Sequence, residues 1–270
     1  MKKLLKFFML LLGLLFFTVF SNKILIISIP KCGTNLLVKA IDLLLGKPFG
    51  LTNTWIRRLE INENCINSVI DVPDFTPLYE HGVYNEWAES QLINNNIKTL
   101  FIYRDPRDQL ISYIFWHKER LTILDDYSMD ECIFRGIEHG IRELYFNWQG
   151  IIGIDQFYRS FMPWIQSSSI YSIRFEDLVG PQGGGSLEVQ MRELENIAQH
   201  IGLTVTSEQI NKVAGMLFGE SMGQIGDWTT FREGQIGSWK KYFNEEHKKV
   251  FKRVAGQLLI DLCYEKDFDW

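Results

Sequence analysis

A parallel α/β sheet flanked by helices is the fold class this 270-residue sequence predicts, and three observations predict it. Short apolar runs rich in β-branched residues recur at residues 24–28, 97–103 and 169–173. Amphipathic helical periods separate them, and glycine, proline, asparagine or charged residues stand where the runs end. Strands alternating with helices form sheets whose ligands sit beyond the carboxyl ends of the strands.

Residues 24–35, ILIISIPKCGTN, are the first such unit. The run stops at Pro30, and Lys31-Cys32-Gly33-Thr34-Asn35 leads into a helical pattern through Leu36, Leu37, Ala40, Ile41 and Leu44. A strand, a tight turn and a helix N-terminus form an anion-binding geometry. The first helical N–H groups face the turn, the macrodipole favours negative charge, and Gly33 allows close approach to the backbone. Lys31 adds a point charge and Thr34 a hydroxyl, which together select a phosphate-like group. A plain strand-to-helix turn with a surface lysine is the simpler alternative for this motif alone. The Walker A order fails here, because the lysine precedes the only glycine, and a nucleoside triphosphatase is disfavoured.

Residues 46–72 show no sustained period and read as loop or lid with short elements. A brief strand at 76–80 ends at His81-Gly82, and a polar helix at about 84–94 closes in Asn94-Asn95-Asn96. The run 97–103 (IKTLFIY) passes into Arg104-Asp105-Pro106-Arg107-Asp108, with Pro106 suited to the first helical turn and Asp105 to its cap. Helices are expected near 128–139 and 141–164. After the strand at 169–173 come Phe175-Glu176-Asp177-Leu178 and a flexible break through Gly183-Gly184-Gly185. Ser186 then caps a helix that ends at Gly202, another starts near Thr206, a loop spans 227–237, and a last helix begins at Asn244.

Composition sets further bounds. A chain 46% hydrophobic can bury one sizeable core, and a net charge of −5 offers no global field to hold nucleic acid, so any phosphate site is local. Cys32, Cys65, Cys132 and Cys263 form neither a CxxC pair nor a Cys/His cluster, which argues against structural zinc and a disulfide framework and makes reduced thiols the default. Cys32 reads as a small residue fitting a tight turn, with a reactive low-pKa thiol as the other reading. At the N-terminus, lysines at 2, 3 and 6 precede an apolar stretch at residues 7–20. That pattern makes residues 1–22 a signal or anchor segment, with membrane attachment put first and a cytoplasmic protein second, and residues 23–270 the folded domain.

Four motifs in order carry a resemblance to the sulfotransferases that use 3′-phosphoadenosine 5′-phosphosulfate (PAPS). Pro30-Lys31-Cys32-Gly33-Thr34-Asn35 resembles their 5′-phosphosulfate loop, and Arg104 with Ser112 eight residues on resembles their 3′-phosphate motif. Phe175-Glu176-Asp177-Leu178 is similar to a Tyr-Glu-Asp-Leu stretch that contacts adenine. Phe231-Arg232-Glu233-Gly234-Gln235-Ile236-Gly237-Ser238-Trp239-Lys240 resembles the C-terminal Arg-Lys-Gly-x-x-Gly-x-Trp-Lys segment. The resemblance implies a P-loop-NTPase-like three-layer sandwich with a central parallel sheet, PAPS as co-substrate and no metal. It implies donor contacts from Lys31, Cys32, Gly33, Thr34, Asn35, Arg104, Ser112, Phe175, Arg232, Glu233 and Gly234. His81 is the implied general base, because it precedes Arg104 at the expected separation and an imidazole takes a proton near neutrality; Lys31 is the group that stabilises the leaving phosphate. His117, His139, His200 and His247 read as surface residues on helices. Glu233 replaces a family lysine, Tyr79 another, and Leu36 an adenine-stacking tryptophan.

The resulting expectation is transfer of a sulfuryl group to a hydroxyl or amine of a small-molecule, lipid or glycan acceptor. The alternative is a membrane-tethered nucleotide-binding protein that keeps the fold without catalysis. Oligomeric state stays open.

Overall fold

The computed structural model describes residues 22–47, 54–55, 61–120, 124, 126–140, 153–219 and 231–270. The apolar stretch 7–20, parts of the 46–72 and 227–237 loops, and the first half of the helix expected at 141–164 lie outside these residues. Among the described residues no helix is long and apolar enough to cross a membrane.

Five strands form one sheet: β1 (Ile24–Ser28), β2 (Thr54–Trp55), β3 (Pro77–Glu80), β4 (Lys98–Tyr103) and β5 (Ile170–Arg174). Their order is β2-β3-β1-β4-β5 and every pairing is parallel. In the centre Ile27 pairs with Glu80 on one side and Phe101 on the other. Successive strands β3 and β4 therefore lie on opposite sides of β1. This is the switch point where a parallel sheet opens a crevice beyond its carboxyl ends.

The central strands read as continuous apolar runs because helices cover both faces. One face, with Leu25, Ile27 and Phe101, packs on α2 (Glu63–Asp71), α3 (Glu86–Asn94), α4 (Pro106–Arg120), α5 (Met129–Glu138), α6 (Gly153–Arg159), α7 (Met162–Gln166) and the C-terminal helix. The other, with Ile24, Ile26, Leu100 and Ile102, packs on α1 (Thr34–Leu44) and on two later helices from the second half of the chain. The three layers predicted from sequence are thus present.

Asn85, Ser128 and Thr206 each accept a backbone N–H of the following helix, and Ser128 and Thr206 close full capping boxes. Short α8 (Phe175–Leu178) follows β5 directly. Helix α9 (Leu187–His200) is capped by Ser186, α10 (Ser207–Leu217) follows, and α11 (Glu245–Asp261) is capped by Asn244. Part of the stretch read as loop or lid is α2, held by buried Cys65, Ile66 and Val69, whose helical spacing is interrupted in sequence by polar residues.

Candidate active site

The turn between β1 and α1 is left-handed twice, at Lys31 (φ 70°) and Gly33 (φ 103°). The Cys32 N–H closes the turn on the Ile29 carbonyl at 3.1 Å. The N-cap of α1 is Gly33, which offers no side-chain cap to the first turn, and an uncapped helix start beyond the end of β1 suits an anion. A Cβ at Gly33 would meet the Phe175 ring at 2.7 Å, so the glycine is required by close packing as well as by φ. Lys31 directs its ammonium over the Trp116 ring on α4, 5.5 Å from its centroid.

Thr34 turns its hydroxyl inward, where Oγ1 lies 2.7 Å from Ser28 Oγ. Ser28 Oγ is in turn 2.9 Å from His81 Nδ1, which also lies 3.0 Å from the Ser28 carbonyl oxygen. A carbonyl can only accept, so Nδ1 carries the proton and Nε2 is the basic nitrogen. The Glu80 carboxylate accepts the His81 backbone N–H at 2.9 Å, which fixes the residue at the end of β3. Burial, more than the nearby Lys31 charge, pushes His81 down to about 4, and the hydrogen bond to Ser28 opposes both. The imidazole is neutral at physiological pH, below the near-neutral value expected from sequence.

The second cluster stands beyond β4. Arg104 is buried, stacks 4.2 Å from the Phe175 ring centroid, and donates to the Gln235 carbonyl at 2.5 Å. Its contact with Asp108 is long, 3.4 Å. The first N–H groups of α4 are less open than the sequence implied. Pro106 has none, and Asp105 Oδ1 caps the Arg107 N–H at 2.8 Å. Ser112 lies two turns along α4 and is half-buried.

Asp108 ties the C-terminal loop to this helix. Its Oδ2 accepts from the Gly237 N–H at 2.7 Å, and its Oδ1 from the Ser238 hydroxyl at 3.1 Å and the Trp239 N–H at 2.8 Å. Gln109 links the two clusters by donating to the Pro30 carbonyl at 2.9 Å. Arg232 lies 4.5 Å from the Phe115 ring centroid and pairs with Glu233 at 2.9 Å, while Glu233 also meets Lys241 at 3.2 Å. Glu233 therefore directs its charge at Arg232 and Lys241. Gly234 is left-handed (φ 62°), with the rings of Phe231 and Phe218 where a Cβ would stand. Among the described residues the buried Nε atoms of Arg104 and Arg232 have no hydrogen-bond partner. Orphaned guanidinium donors on one crevice fit an anionic ligand.

The match to the family is direct. Residues 21–262 fit the profile of the sulfotransferase domain. The chain belongs to the sulfotransferase family. Mouse sulfotransferase 6B1 is 25% identical over 266 residues, covering 91% of this chain and 80% of that protein. Human sulfotransferase 2A1 is 22% identical, covering 94% and 90%. Flavonol 3-sulfotransferase of Flaveria bidentis is 25% identical, covering 90% and 83%. Among solved structures, mouse sulfotransferase SULT7A1 complexed with PAP superposes with a TM-score of 0.62 at 15% identity, covering 89% of this chain and 87% of that one. The shared fold is the P-loop-NTPase-like one expected from sequence.

The structure thus brings Lys31, Gly33, Thr34, His81, Arg104 and Phe175 to one crevice. Sequence reading missed Ser28, which was legible only as a hydroxyl ending an otherwise apolar strand, and Asp108, whose partners are mostly backbone groups more than a hundred residues away. Two surface assignments are corrected: His117 and His247 are fully buried, inside aromatic clusters with Tyr113 and Trp116 and with Phe134 and Phe243. Helical periodicity alone does not tell which face a histidine takes. Cys32 is buried against the Tyr158 hydroxyl at 3.6 Å, and burial pushes its thiol up to about 12, so the small-residue reading holds. No group of metal ligands occurs among the described residues.

Proposed function

We propose that this sulfotransferase moves a sulfuryl group from PAPS to a hydroxyl or amine of a small-molecule acceptor. The observation that carries this reading is the His81 tautomer. Ser28 holds Nδ1–H, Nε2 is the basic nitrogen, and the same Ser28 hydroxyl touches Thr34 of the anion turn. Base and donor loop are thereby fixed to one another before substrate arrives.

In the step, the acceptor oxygen or nitrogen attacks sulfur as His81 Nε2 takes its proton. The bond from sulfur to the 5′-phosphate oxygen breaks, and the electron pair leaves with 3′-phosphoadenosine 5′-phosphate (PAP). Lys31 and the α1 N–H groups stabilise the charge on that phosphate. Cys32 and Asn35 line the loop, with Cys32 acting through packing. At the other end of the donor, Arg104, Ser112, Arg232 and Gly234 hold the 3′-phosphate. Phe175 supports the adenine and Arg104 together. Glu233 orients Arg232.

Titration calorimetry with PAP tests the donor half, with Lys31→Ala and Arg104→Ala beside wild type. Micromolar binding is expected, weakened in both variants. Hydrogen bonds to charged groups are worth about 1.5–3 kcal/mol, so each loss should be about tenfold or more. A folded wild type that does not bind PAP overturns the reading. Binding without turnover of any phenol, alcohol or amine favours the non-catalytic alternative, which rests on the Glu233 charge set against Arg232. Membrane attachment through residues 7–20 remains part of the proposal, checked by partition of the full chain between membranes and supernatant.

A further inference from the structure

The segment from Tyr264 to Trp270 folds back over the start of α4, and its side chains meet the donor site from outside. Arg107 is the hub. It is 3% exposed, forks onto Asp105 through Nε (3.0 Å) and Nη2 (2.7 Å), and reaches Glu265 through Nη1 at 2.6 Å. Its guanidinium sits between two indoles, 4.2 Å from Trp239 and 4.5 Å from Trp270. A second strut comes from Tyr264. Its hydroxyl donates to Glu176 Oε2 at 2.9 Å, while Glu176 Oε1 accepts the backbone N–H of Asp105 at 3.0 Å.

Both struts end on Asp105, the residue next to Arg104. The Arg104 carbonyl is itself held by the Tyr158 hydroxyl at 3.1 Å. The backbone that aims the Arg104 guanidinium is therefore fixed at three consecutive points: the Arg104 carbonyl, the Asp105 N–H and the Asp105 carboxylate. Two of the three depend on residues 264 and 265. A guanidinium at the end of four rotatable bonds recognises a phosphate well only if its origin does not drift, and displacements of about 1 Å are costly at such sites.

We propose that Tyr264 and Glu265 are positioning residues of the donor site, which set the Arg104 turn through Glu176 and Arg107 without touching the donor. This rests on the donor reading above. The claim differs from ordinary tail packing, because it predicts a selective loss at one substrate.

The test uses the full chain with Glu265→Gln and Tyr264→Phe, which keep side-chain volume, and Glu245→Gln as a control at a surface pair with Lys248. PAP affinity is read by calorimetry, and KM for PAPS and for a simple phenol by initial rates. Residues in one hydrogen-bond network couple measurably, so a roughly three- to tenfold weaker PAP affinity and a matching rise in donor KM are expected in both variants. Acceptor KM should stay within about twofold, as it should for sites that do not share partners. Equal losses in both KM values, or none, overturn the proposal, provided wild type binds PAP in an Arg104-dependent way. Wild type that fails to bind PAP removes both this proposal and the donor reading. Should either variant unfold at assay temperature, Glu265→Asp, which keeps the carboxylate and shortens its reach to Arg107, is measured in its place: a raised donor KM with acceptor KM unchanged supports the proposal, and equal changes in both, or none, overturn it.

Discussion

The two anion-binding clusters are built in opposite ways. The turn at Lys31–Thr34 is a backbone device: two left-handed residues, a helix start capped by glycine, and one hydroxyl relay to His81. The cluster around Arg104 is a side-chain device. Its guanidinium is placed by partners at Phe175, Gln235 and, through Asp108, at Gly237 to Trp239. A backbone site is written within a dozen consecutive residues and tolerates little change of residue type. A side-chain site is assembled from segments far apart in the chain, here up to 131 residues. On the function proposed above, the first cluster carries the chemistry, since His81 is wired to it, and the second carries donor affinity.

The largest effect should come from separating these roles. His81→Ala removes the base and should lower kcat by about 10²–10⁴, the range of general-base contributions. PAP affinity should stay within a small factor. Equal loss of PAP binding and turnover would merge the two clusters and defeat the comparison. The pH profile sharpens it. A base that must be neutral, with its pKa pushed down to about 4 in the free enzyme, leaves kcat/KM flat from neutrality to about pH 5 and falling only below that. Part of that depression comes from Lys31, and an anionic donor beside the ammonium cancels it. The acid limb of kcat, which reports the bound complex, should therefore lie at higher pH than that of kcat/KM. Coincident limbs would place Lys31 away from the donor.

Gly33→Ala comes next. A side chain at φ 103° is strained, and its Cβ would lie 2.7 Å from Phe175 Cδ2, a ring that also supports Arg104. Strained left-handed positions cost about 1–3 kcal/mol, which should appear as a lower unfolding midpoint in denaturant. Because Phe175 must move, PAP affinity should fall as well. A variant of wild-type stability would show that the turn can relax and is less a backbone device than described.

The same contrast explains what the sequence could reveal. The sheet was legible because its central strands β1 and β4 are buried on both faces and so are almost wholly apolar, and several helix starts because Ser128, Ser186, Thr206 and Asn244 cap within three residues. The first anion turn was legible for the same reason: order of residue types over a few positions decides its geometry. Arg104 was found by its local motif, but its contact with the Gln235 carbonyl was not, because a backbone carbonyl carries no residue signature. Tyr264 and Glu265 carried no signal at all, since only the folded chain brings them to Arg107 and Glu176.

The smallest expected effect concerns the cysteine inside the turn. If the Lys31–Thr34 turn works through backbone geometry, the Cys32 thiol should be chemically silent. It is fully buried, its pKa is pushed up to about 12 by desolvation, and its polar contact is a long one with Tyr158. Cys65 and Cys132 are buried too, and only Cys263 is exposed. Reactivity follows thiolate fraction and access. Native protein treated with a maleimide should therefore take up one equivalent, at Cys263, with PAP affinity unchanged, and mass mapping of the labelled peptides decides the site. Labelling of Cys32, with loss of PAP binding, would mean that the turn opens in solution and that its thiol, rather than its backbone, is what a ligand meets.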